Sequence, residues 1–186
     1  MGWIVTGPGP FEIEDYRPDL EPWYVFVHND GIAGLDSHTP FRAPVEAYPG
    51  GRGRRSFVAR DGDIYAGLVD VVVSEEDPRV AEIDIVAVLP SHRRRGLGGL
   101  LVGAAVRWAA QAGVERLYAV VPVSDPRIHG FWQMHGFELE CVSLEIERGA
   151  ERRRVIASEI SPALLRGRKI VRILYTYRRN VGKAAS

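Results

Sequence analysis

The sequence predicts an α/β fold built on a mixed, mostly antiparallel sheet flanked by helices. Two observations carry this prediction. First, two apolar, β-branched runs at residues 56–59 and 64–73 are joined through an Asp-Gly step, which is a strong signal for an antiparallel hairpin. Second, apolar runs at 81–89 and 116–123 flank one apolar helical segment. A single crossover of this kind joins two parallel strands, so the sheet is expected to be mixed.

The helical segment, residues 96–111, is apolar on nearly every face. Leu97, Leu101 and Ala104 share one stripe, and Gly113 follows as a C-terminal cap. We therefore expect this helix to be heavily buried against the sheet.

A second, shorter helix is predicted over residues 126–134. Asp125 is suited to the N-cap and Pro126 to the first helical position, while Gly136 ends the segment. These three residues fix the bounds of the predicted helix.

The remainder of the chain is less regular. Residues 1–55 are rich in proline and glycine, and the one strand predicted there is 23–27. Apolar and alternating residues predict further strands at 137–144 and 169–177, and the charged segment 148–168 between them has no clear pattern.

Length and composition bound the class of protein. A chain of 186 residues suits one domain, here expected over residues 1–178 with a flexible tail over 179–186. The 24 basic and 24 acidic residues balance, so no overall field would attract nucleic acid or an anionic membrane. Cys141 is the single cysteine, which excludes an internal disulfide, and no apolar run suits a membrane span or a signal peptide. These features predict a cytoplasmic protein, and the excess of arginine over lysine is typical of a GC-rich bacterial genome.

Residues 81–101 contain the most specific pattern in the chain. An apolar strand ends at Pro90, three arginines follow, and glycines then open the apolar helix. Backbone N–H groups at a helix N-terminus point at one spot, where the helix dipole favours negative charge and the arginines add mobile cations. The pattern therefore predicts a site for a diphosphate group.

Three residues of this pattern, Arg93, Gly96 and Gly98, match the R/Q-x-x-G-x-G/A signature of the GNAT superfamily of acyl-CoA-dependent N-acetyltransferases. The later segment SDPRIHGFWQMHGF, residues 124–137, is similar to the N-x-x-A-x-x-x-Y-x-x-x-G-F segment of that family. The chain thus resembles this family over residues 81–137. Other phosphate motifs fit worse, because the Gly-Lys-Ser/Thr of a Walker loop is absent and the dinucleotide fingerprint G-x-G-x-x-G fails at its last glycine.

The resemblance implies acetyl-CoA as the co-substrate, with no metal. It also implies a splayed pair of parallel strands at the coenzyme site. There the backbone of the first strand would pair with the pantetheine arm, and N–H groups of the glycine loop would hold the pyrophosphate. The residues implied in coenzyme binding are Val86, Ala87, Val88, Arg93, Arg94, Arg95, Gly96, Leu97, Gly98, Gly99, Asp125, Phe131 and Trp132.

The resemblance also bears on the other partners. Residues 1–55 would form the acceptor side, and neither nucleic acid nor a membrane is expected as a partner. A late strand at 170–177 could pair across a homodimer.

Amine acetylation requires a base, because an alkylamine is mostly protonated near pH 7. Glu82 and Asp84 are the candidates, since a strand period of two places both on one face, about 7 Å apart, and a bulge could redirect either one. The resemblance favours Glu82, which stands eleven residues before Arg93, a recurring position for the general base. Asp84 would lie closer to the thioester, and some family members use a carboxylate there.

One residue expected from the family is missing. The tyrosine that protonates the departing thiolate would stand four residues before Gly136, where this chain has Trp132. Indole cannot supply a proton near neutral pH. The replacement acid is open among water, Tyr118, His129, His135, Tyr175 and Tyr177.

The predicted activity is direct transfer of an acetyl group from acetyl-CoA to a primary amine, without a covalent enzyme intermediate. The acceptor class stays open, from small amines to protein lysines. The missing tyrosine leaves two alternatives. One is a catalytically silent acyl-CoA-binding or regulatory module, and the other is a transferase for a bulkier acyl group, with Trp132 shaping the acyl pocket.

Overall fold

The computed structural model describes residues 4–6, 10–31, 53–122 and 126–182. Within these ranges the chain forms nine strands and four α-helices. The strands are β1 (Ile4–Thr6), β2 (Phe11–Asp15), β3 (Arg54–Asp61), β4 (Ile64–Val73), β5 (Val80–Val88), β6 (Arg116–Pro122), β7 (Glu138–Arg148), β8 (Glu151–Ile156) and β9 (Lys169–Asn180). The helices are α1 (Glu21–Gly31), α2 (Leu97–Gln111), α3 (Pro126–Met134) and α4 (Pro162–Leu165). No helix in these ranges is both long and apolar enough to cross a membrane.

Contacts within the chain divide it into two compact units. The N-terminal unit comprises Met1–Leu117 and Asn180–Ser186, and the C-terminal unit comprises Tyr118–Arg179. A single domain over residues 1–178 stays a prediction.

The N-terminal unit contains an antiparallel meander of β1, β2, β3, β4 and β5. The predicted hairpin is confirmed, since β3 and β4 pair around a tight turn in which Gly62 has a φ of +60°. Glycine suits this left-handed conformation because it has no Cβ. Strand β4 is buried along most of its length and pairs with β3 on one side and β5 on the other.

Helix α1 occupies the position of the strand predicted at 23–27, so that prediction is wrong. The run Trp-Tyr-Val-Phe-Val favours a strand by propensity, but burial follows a helical spacing. Leu20, Tyr24 and Val27 are buried in one cluster with residues of β4 and β5. Packing of one helical face against the sheet therefore outweighs the local preference.

Helix α2 confirms the prediction of a buried helix. It begins after Gly96, whose φ is +86°, and Gly113, whose φ is +80°, follows its C-terminal end. Its buried residues share the face that packs against β3, β4 and β5. The two glycines therefore bound the helix as the sequence predicts.

Gly67 on β4 lets α2 lie close to the sheet. A Cβ at this position would lie 2.9 Å from Leu101 Cδ1 and 3.1 Å from the carbonyl oxygen of Ala87. Because that carbonyl belongs to the neighbouring strand, we expect Gly67→Val to lower the free energy of unfolding by about 1–3 kcal/mol. Urea unfolding measures the change, with Gly53→Val as the control, since a Cβ at Gly53 would meet nothing within 4 Å. Equal unfolding midpoints for the two variants would contradict the close packing.

In the C-terminal unit the strand order is β6, β9, β7, β8, and β7 is antiparallel to both β8 and β9. Helix α3 has the bounds that the sequence predicts, and Gly136 after it has a φ of +74°. This helix and the strands position the aromatic residues of the unit.

Residues 148–168, which have no clear pattern in the sequence, contain β8 and α4. Strand β8 pairs with β7 across a turn at Gly149, whose φ is +59°. Arg152, Arg153 and Arg154 are exposed on β8, which is the edge strand of this unit's sheet. Charged side chains on an edge strand prevent further pairing. The same charges remove the apolar alternation that would identify the strand in the sequence.

Strand β9 extends to Asn180, so the flexible tail predicted from residue 179 is wrong at its beginning. Val181 is buried, and its N–H donates to the carbonyl oxygen of Glu115 at 2.8 Å. This backbone bond keeps the chain ordered beyond the strand. Residues 183–186 lie outside the described residues.

Candidate active site

Strand β5 carries both predicted carboxylates and contains a β-bulge. The register with β4 passes from Val71 opposite Ile83 to Asp70 opposite Ile85, which leaves Asp84 as the extra residue. A bulge bends the strand and re-aims the side chain of the extra residue. The backbone irregularity therefore falls at one of the two predicted catalytic positions.

Glu82 and Asp84 are both exposed, as groups that meet a substrate must be. Glu82 lies opposite Val72, two residues from Asp70 on β4, so its side chain shares a face of the sheet with Asp70. The side chain of Asp84 reaches the same face of the sheet, because Arg54 forms ion pairs with both Asp84 and Asp70. The two carboxylates thus lie on the face of the sheet that α1 covers.

A chain of polar contacts runs from α1 through β4 and β3 to the bulge. The hydroxyl of Tyr24 donates to Asp70 Oδ2 at 2.5 Å, and Arg54 Nη1 donates to the same oxygen at 2.7 Å. The other Arg54 nitrogen, Nη2, donates to Asp84 Oδ2 at 2.5 Å. The side chain of Asp70 is 1% exposed, that of Arg54 10% and that of Asp84 34%. This series of polar contacts therefore leads from the core to the surface.

Burial dominates the proton affinities of this network. It raises the pKa of Asp70, against the hydrogen bond from Tyr24 and the charge of Arg54, which both lower it. Burial and the neighbouring Asp70 carboxylate together raise the pKa of the Tyr24 hydroxyl far above its usual range. Tyr24 is therefore a permanent donor to Asp70 and does not act as a base.

The predicted phosphate loop follows β5 directly. A short 3₁₀ turn at Pro90–His92 leads into the three arginines, and α2 begins at Leu97. The first helical bond is donated by the N–H of Leu100 to the carbonyl oxygen of Gly96 at 3.1 Å. The N–H groups of Leu97, Gly98 and Gly99 consequently have no acceptor within the helix, and no described side chain caps it. These N–H groups lie at the position where the sequence predicts a cradle for a diphosphate group.

The three arginines of the loop differ in their contacts. Arg93 Nε donates to the carbonyl oxygen of Val88 at 3.1 Å, which folds its side chain back along the strand end. Arg95 lies 3.0 Å from Asp61 and over the ring of Phe11, at 5.0 Å from its centroid. Arg94 is exposed and has a φ of +60°, the one positive φ of a described residue other than glycine.

A buried histidine supports the same loop. The ring of His92 is buried, with Nε2 at 3.6 Å from Asp61 Oδ2 and Nδ1 at 2.8 Å from the hydroxyl of Ser91. Asp61 therefore contacts both His92 and Arg95, and these contacts link the loop to the β3–β4 turn.

The predicted pantetheine strand is the last part of β5. Val86, Ala87 and Val88 pair with β4 on one side, and the side chain of Ala87 is buried. The carbonyl of Val88 is already bound by Arg93. This stretch and the phosphate loop are continuous in the chain, so the N-terminal unit brings most of the predicted coenzyme residues together.

The remaining predicted coenzyme residues belong to the C-terminal unit. Trp132 is 5% exposed and packs among rings, with centroid distances of 5.3 Å to Phe131, 5.0 Å to Phe137 and 6.4 Å to Tyr177. The residue that stands at the family's tyrosine position thus forms part of this unit's core. Phe131 is half-buried, and Asp125 lies outside the described residues.

Two of the candidate acids, His129 and Tyr177, are joined by a hydrogen bond between His129 Nδ1 and the Tyr177 hydroxyl. Tyr175 lies edge-on to His129, with ring centroids 4.4 Å apart. Burial raises the pKa of the Tyr177 hydroxyl, and Tyr175 adds to the effect. Burial, with a contribution from Arg179, lowers the pKa of the His135 ring.

Sequence reasoning missed Arg54, Asp70 and Tyr24. Asp70 did leave a signal, because it is the single charged residue in the apolar strand 64–73. A lone charge in such a strand is stable only with a buried partner. In the described part of the chain, no group of three or more potential ligand residues could hold a metal ion.

Comparison with known proteins places the chain in a family. Its sequence matches the model of the acetyltransferase (GNAT) family over residues 13–137, which is more than half of the chain. No curated protein sequence matches significantly.

Solved structures share the fold at low sequence identity. An acetyltransferase of the GNAT family from Streptococcus pneumoniae has a TM-score of 0.68 and 16% identity, with 92% of this chain and 99% of that chain covered. The ribosomal-protein-S18-alanine N-acetyltransferase of Escherichia coli has a TM-score of 0.64 and 16% identity, with 95% and 97% covered. The Bacillus subtilis acetyltransferase in complex with CoA has a TM-score of 0.60 and 16% identity, with 92% and 98% covered.

This likeness confirms the predicted fold class, an α/β fold with a mixed sheet, one parallel strand pair and flanking helices. The family match and the shared fold agree, and the chain belongs to the GNAT acetyltransferase family.

Proposed function

We propose that the protein transfers an acetyl group from acetyl-CoA to a primary amine in one direct step. One observation carries the proposal. Within the N-terminal unit, two exposed carboxylates on β5 are followed by a loop of arginines and by helical N–H groups that lack helical acceptors. One continuous strand, loop and helix therefore offers negative charge to an amine and positive charge to a coenzyme.

The donor site is proposed at the N-terminus of α2. The N–H groups of Gly98 and Gly99 would bind pyrophosphate oxygens, because the helix dipole and the absence of side chains favour an anion there. Arg94 is exposed beside them and would add a charge-assisted bond. The backbone at residues 86–88 would hold the pantetheine arm as an added strand does.

The acceptor side is proposed at the two carboxylates. Glu82 or Asp84 removes a proton from the ammonium group, directly or through one water. The neutral nitrogen then attacks the thioester carbonyl, and N–H groups at residues 86–88 stabilise the negative oxygen. The new C–N bond forms as the C–S bond breaks, the nitrogen releases its second proton to water to give the neutral amide, and the coenzyme leaves as the thiolate.

Protonation of the thiolate is proposed to come from water. Coenzyme A thiolate is a modest leaving group, so water is a sufficient proton source. The free thiol of Cys141 suits a cytoplasmic location, which is part of the proposal.

The burial of Trp132 favours a second candidate function. A core tryptophan where the family has a proton donor is compatible with a module that binds acyl-CoA without catalysis. A transferase for a bulkier acyl group is the third candidate.

Two measurements on the purified protein separate these functions. Calorimetry gives the Kd for acetyl-CoA, and a thiol assay follows transfer to a panel of amino acids, polyamines, peptides and antibiotic amines. We expect binding and thiol release with at least one amine. Binding without release on any amine would favour the silent module, and faster release from longer acyl-CoA thioesters would favour the third candidate.

A further inference from the structure

We propose that Asp61 is a positioning residue for the coenzyme: through Arg95 and His92 it holds the phosphate loop between β5 and α2 in its binding conformation. This inference rests on the proposed function and deepens it. It gives Arg95, one of the predicted coenzyme residues, the different task of fixing the loop. Asp61 is the last residue of β3, where the sequence alone predicts only a hairpin turn.

The first observation is that Asp61 contacts residues on both sides of the loop. Asp61 Oδ2 lies 3.0 Å from Arg95 Nη2 and 3.6 Å from His92 Nε2. His92 ends the 3₁₀ turn that precedes the loop, and Arg95 is the last residue before the N-cap of α2. The two residues between them are therefore flanked on each side by a contact to the same carboxylate oxygen.

A second contact acts on the same guanidinium. Arg95 Cζ lies over the ring of Phe11, at 5.0 Å from its centroid, and Phe11 is buried. Phe11 on β2 is the cross-strand partner of Asp61, so the ring and the carboxylate lie on one face of the sheet. An exposed ion pair alone contributes little to stability, and here a cation–π contact adds to it. Arg95 is therefore held against the sheet by two neighbouring residues.

The backbone of the loop explains why such contacts matter. Arg94 has a φ of +60°, and this left-handed conformation is unfavourable for a residue with a Cβ. It persists only where the surrounding contacts hold the chain. Arg95 follows Arg94 directly, and His92 lies two residues before it, so the contacts of Asp61 enclose the strained residue.

The charges of the two arginines also differ. Arg95 is compensated by Asp61, whereas Arg94 is exposed and makes no ion pair with a described residue. Arg94 is therefore the cation proposed to meet the phosphates, and its place depends on the backbone that Asp61 supports. The contribution of Asp61 to coenzyme binding is indirect, through the shape of the loop.

The test measures the Kd for coenzyme A by calorimetry in Asp61→Asn, in Arg95→Gln and in the double variant, at about 0.15 M salt, where distant charges are screened. The double variant keeps the net charge of the protein, so its Kd reports the lost contact alone. We expect each of the three to raise the Kd about fivefold, the effect of one partly exposed ion pair. The double variant should thus weaken binding no more than either single variant.

A shorter donor separates positioning from a merely structural role. S-acetylpantetheine lacks the pyrophosphate, so Asp61→Asn should leave kcat/KM for this donor unchanged. The same variant should lower kcat/KM for acetyl-CoA about fivefold through KM, with kcat at saturation unchanged. Equal losses with both donors would overturn the inference, because they would show a general loss of structure.

Two variants serve as controls. Asp63→Asn removes the same charge from the same turn, and Asp63 is exposed and makes no ion pair with a described residue, so its Kd should match the wild type. Arg95→Gln keeps the test decisive if Asp61→Asn does not fold, because the Arg95 side chain is 45% exposed.

An additive result would overturn the inference. If the double variant raises the Kd by the product of the two single effects, then Asp61 and Arg95 act independently and Arg95 meets the phosphates itself. A wild-type or lower Kd in the double variant would also overturn it, while acetyl transfer by the wild type would still support the proposed function. A wild-type protein that does not bind coenzyme A would overturn both.

Discussion

Glu82→Gln is expected to lower kcat for acetyl transfer about 100-fold to 1000-fold near neutral pH, within the usual range for loss of a general base. Glutamine has nearly the same shape, but it cannot accept the proton of the ammonium group. Because the side chain of Glu82 is exposed and lies near the opposite end of β5 from the phosphate loop, KM for acetyl-CoA is expected to stay the same. Stopped assays of thiol release at saturating acetyl-CoA measure both constants.

The pH dependence of kcat is the second readout of the Glu82→Gln prediction. A base works only when it is deprotonated, so kcat of the wild-type protein is expected to rise with pH and then to level off. In Glu82→Gln this rise should be absent. Glu75→Gln, in the exposed turn before β5, is the matched control and should behave as the wild type. A Glu82→Gln protein with wild-type kcat would show that Glu82 is not the base.

Gly98→Asp is expected to raise the Kd for acetyl-CoA at least about 100-fold, equal to about 2.7 kcal/mol. Gly98 is the second residue of α2, where the predicted pyrophosphate would meet the helix N–H groups. An aspartate there occupies that space and repels the phosphates. The same carboxylate interacts favourably with the helix dipole, so the melting temperature should stay the same or rise.

Gly98→Asp is expected to weaken coenzyme binding without lowering the melting temperature, and this combination makes the prediction specific. A variant that merely unfolds would lose both binding and stability. Gln111→Glu adds the same charge at the other end of α2, and it should leave the Kd unchanged. Wild-type affinity in Gly98→Asp would exclude the N-terminus of α2 as the coenzyme site.

The sequence predicts the elements whose signals are local. The β3–β4 hairpin has its Asp-Gly turn, α2 has apolar residues on nearly every face and a glycine at each end, and α3 has Pro126 at its first position. In each case the local chemistry and the final packing favour the same structure. The predicted phosphate loop lies directly before α2, so its position in the chain follows from the beginning of that helix.

The elements that sequence reasoning missed depend on the rest of the fold. In α1, five residues that favour strands follow one another, but burial of Tyr24 and Val27 against the sheet stabilises a helix. In β8, the arginines that protect a sheet edge remove the apolar alternation. Propensity alone cannot rank these competing effects, because packing partners lie far away in the chain.

The candidate site also contains residues that the sequence predicts and contacts that it does not predict. Glu82 and Asp84 follow from strand periodicity and from family spacing, since both stand in one short run of sequence. The contacts that lead to Asp84 are long-range: Tyr24 lies 46 residues before Asp70, and Arg54 lies 30 residues before Asp84. Only the folded sheet brings these residues together.

A crystal structure with coenzyme A bound tests the central claim most directly. We expect pyrophosphate oxygens within about 2.7–3.2 Å of the N–H groups of Gly98 and Gly99, with the sulfur end of the coenzyme beside residues 86–88 of β5. Coenzyme bound at any other surface, with the N-terminus of α2 in contact only with solvent, would contradict it.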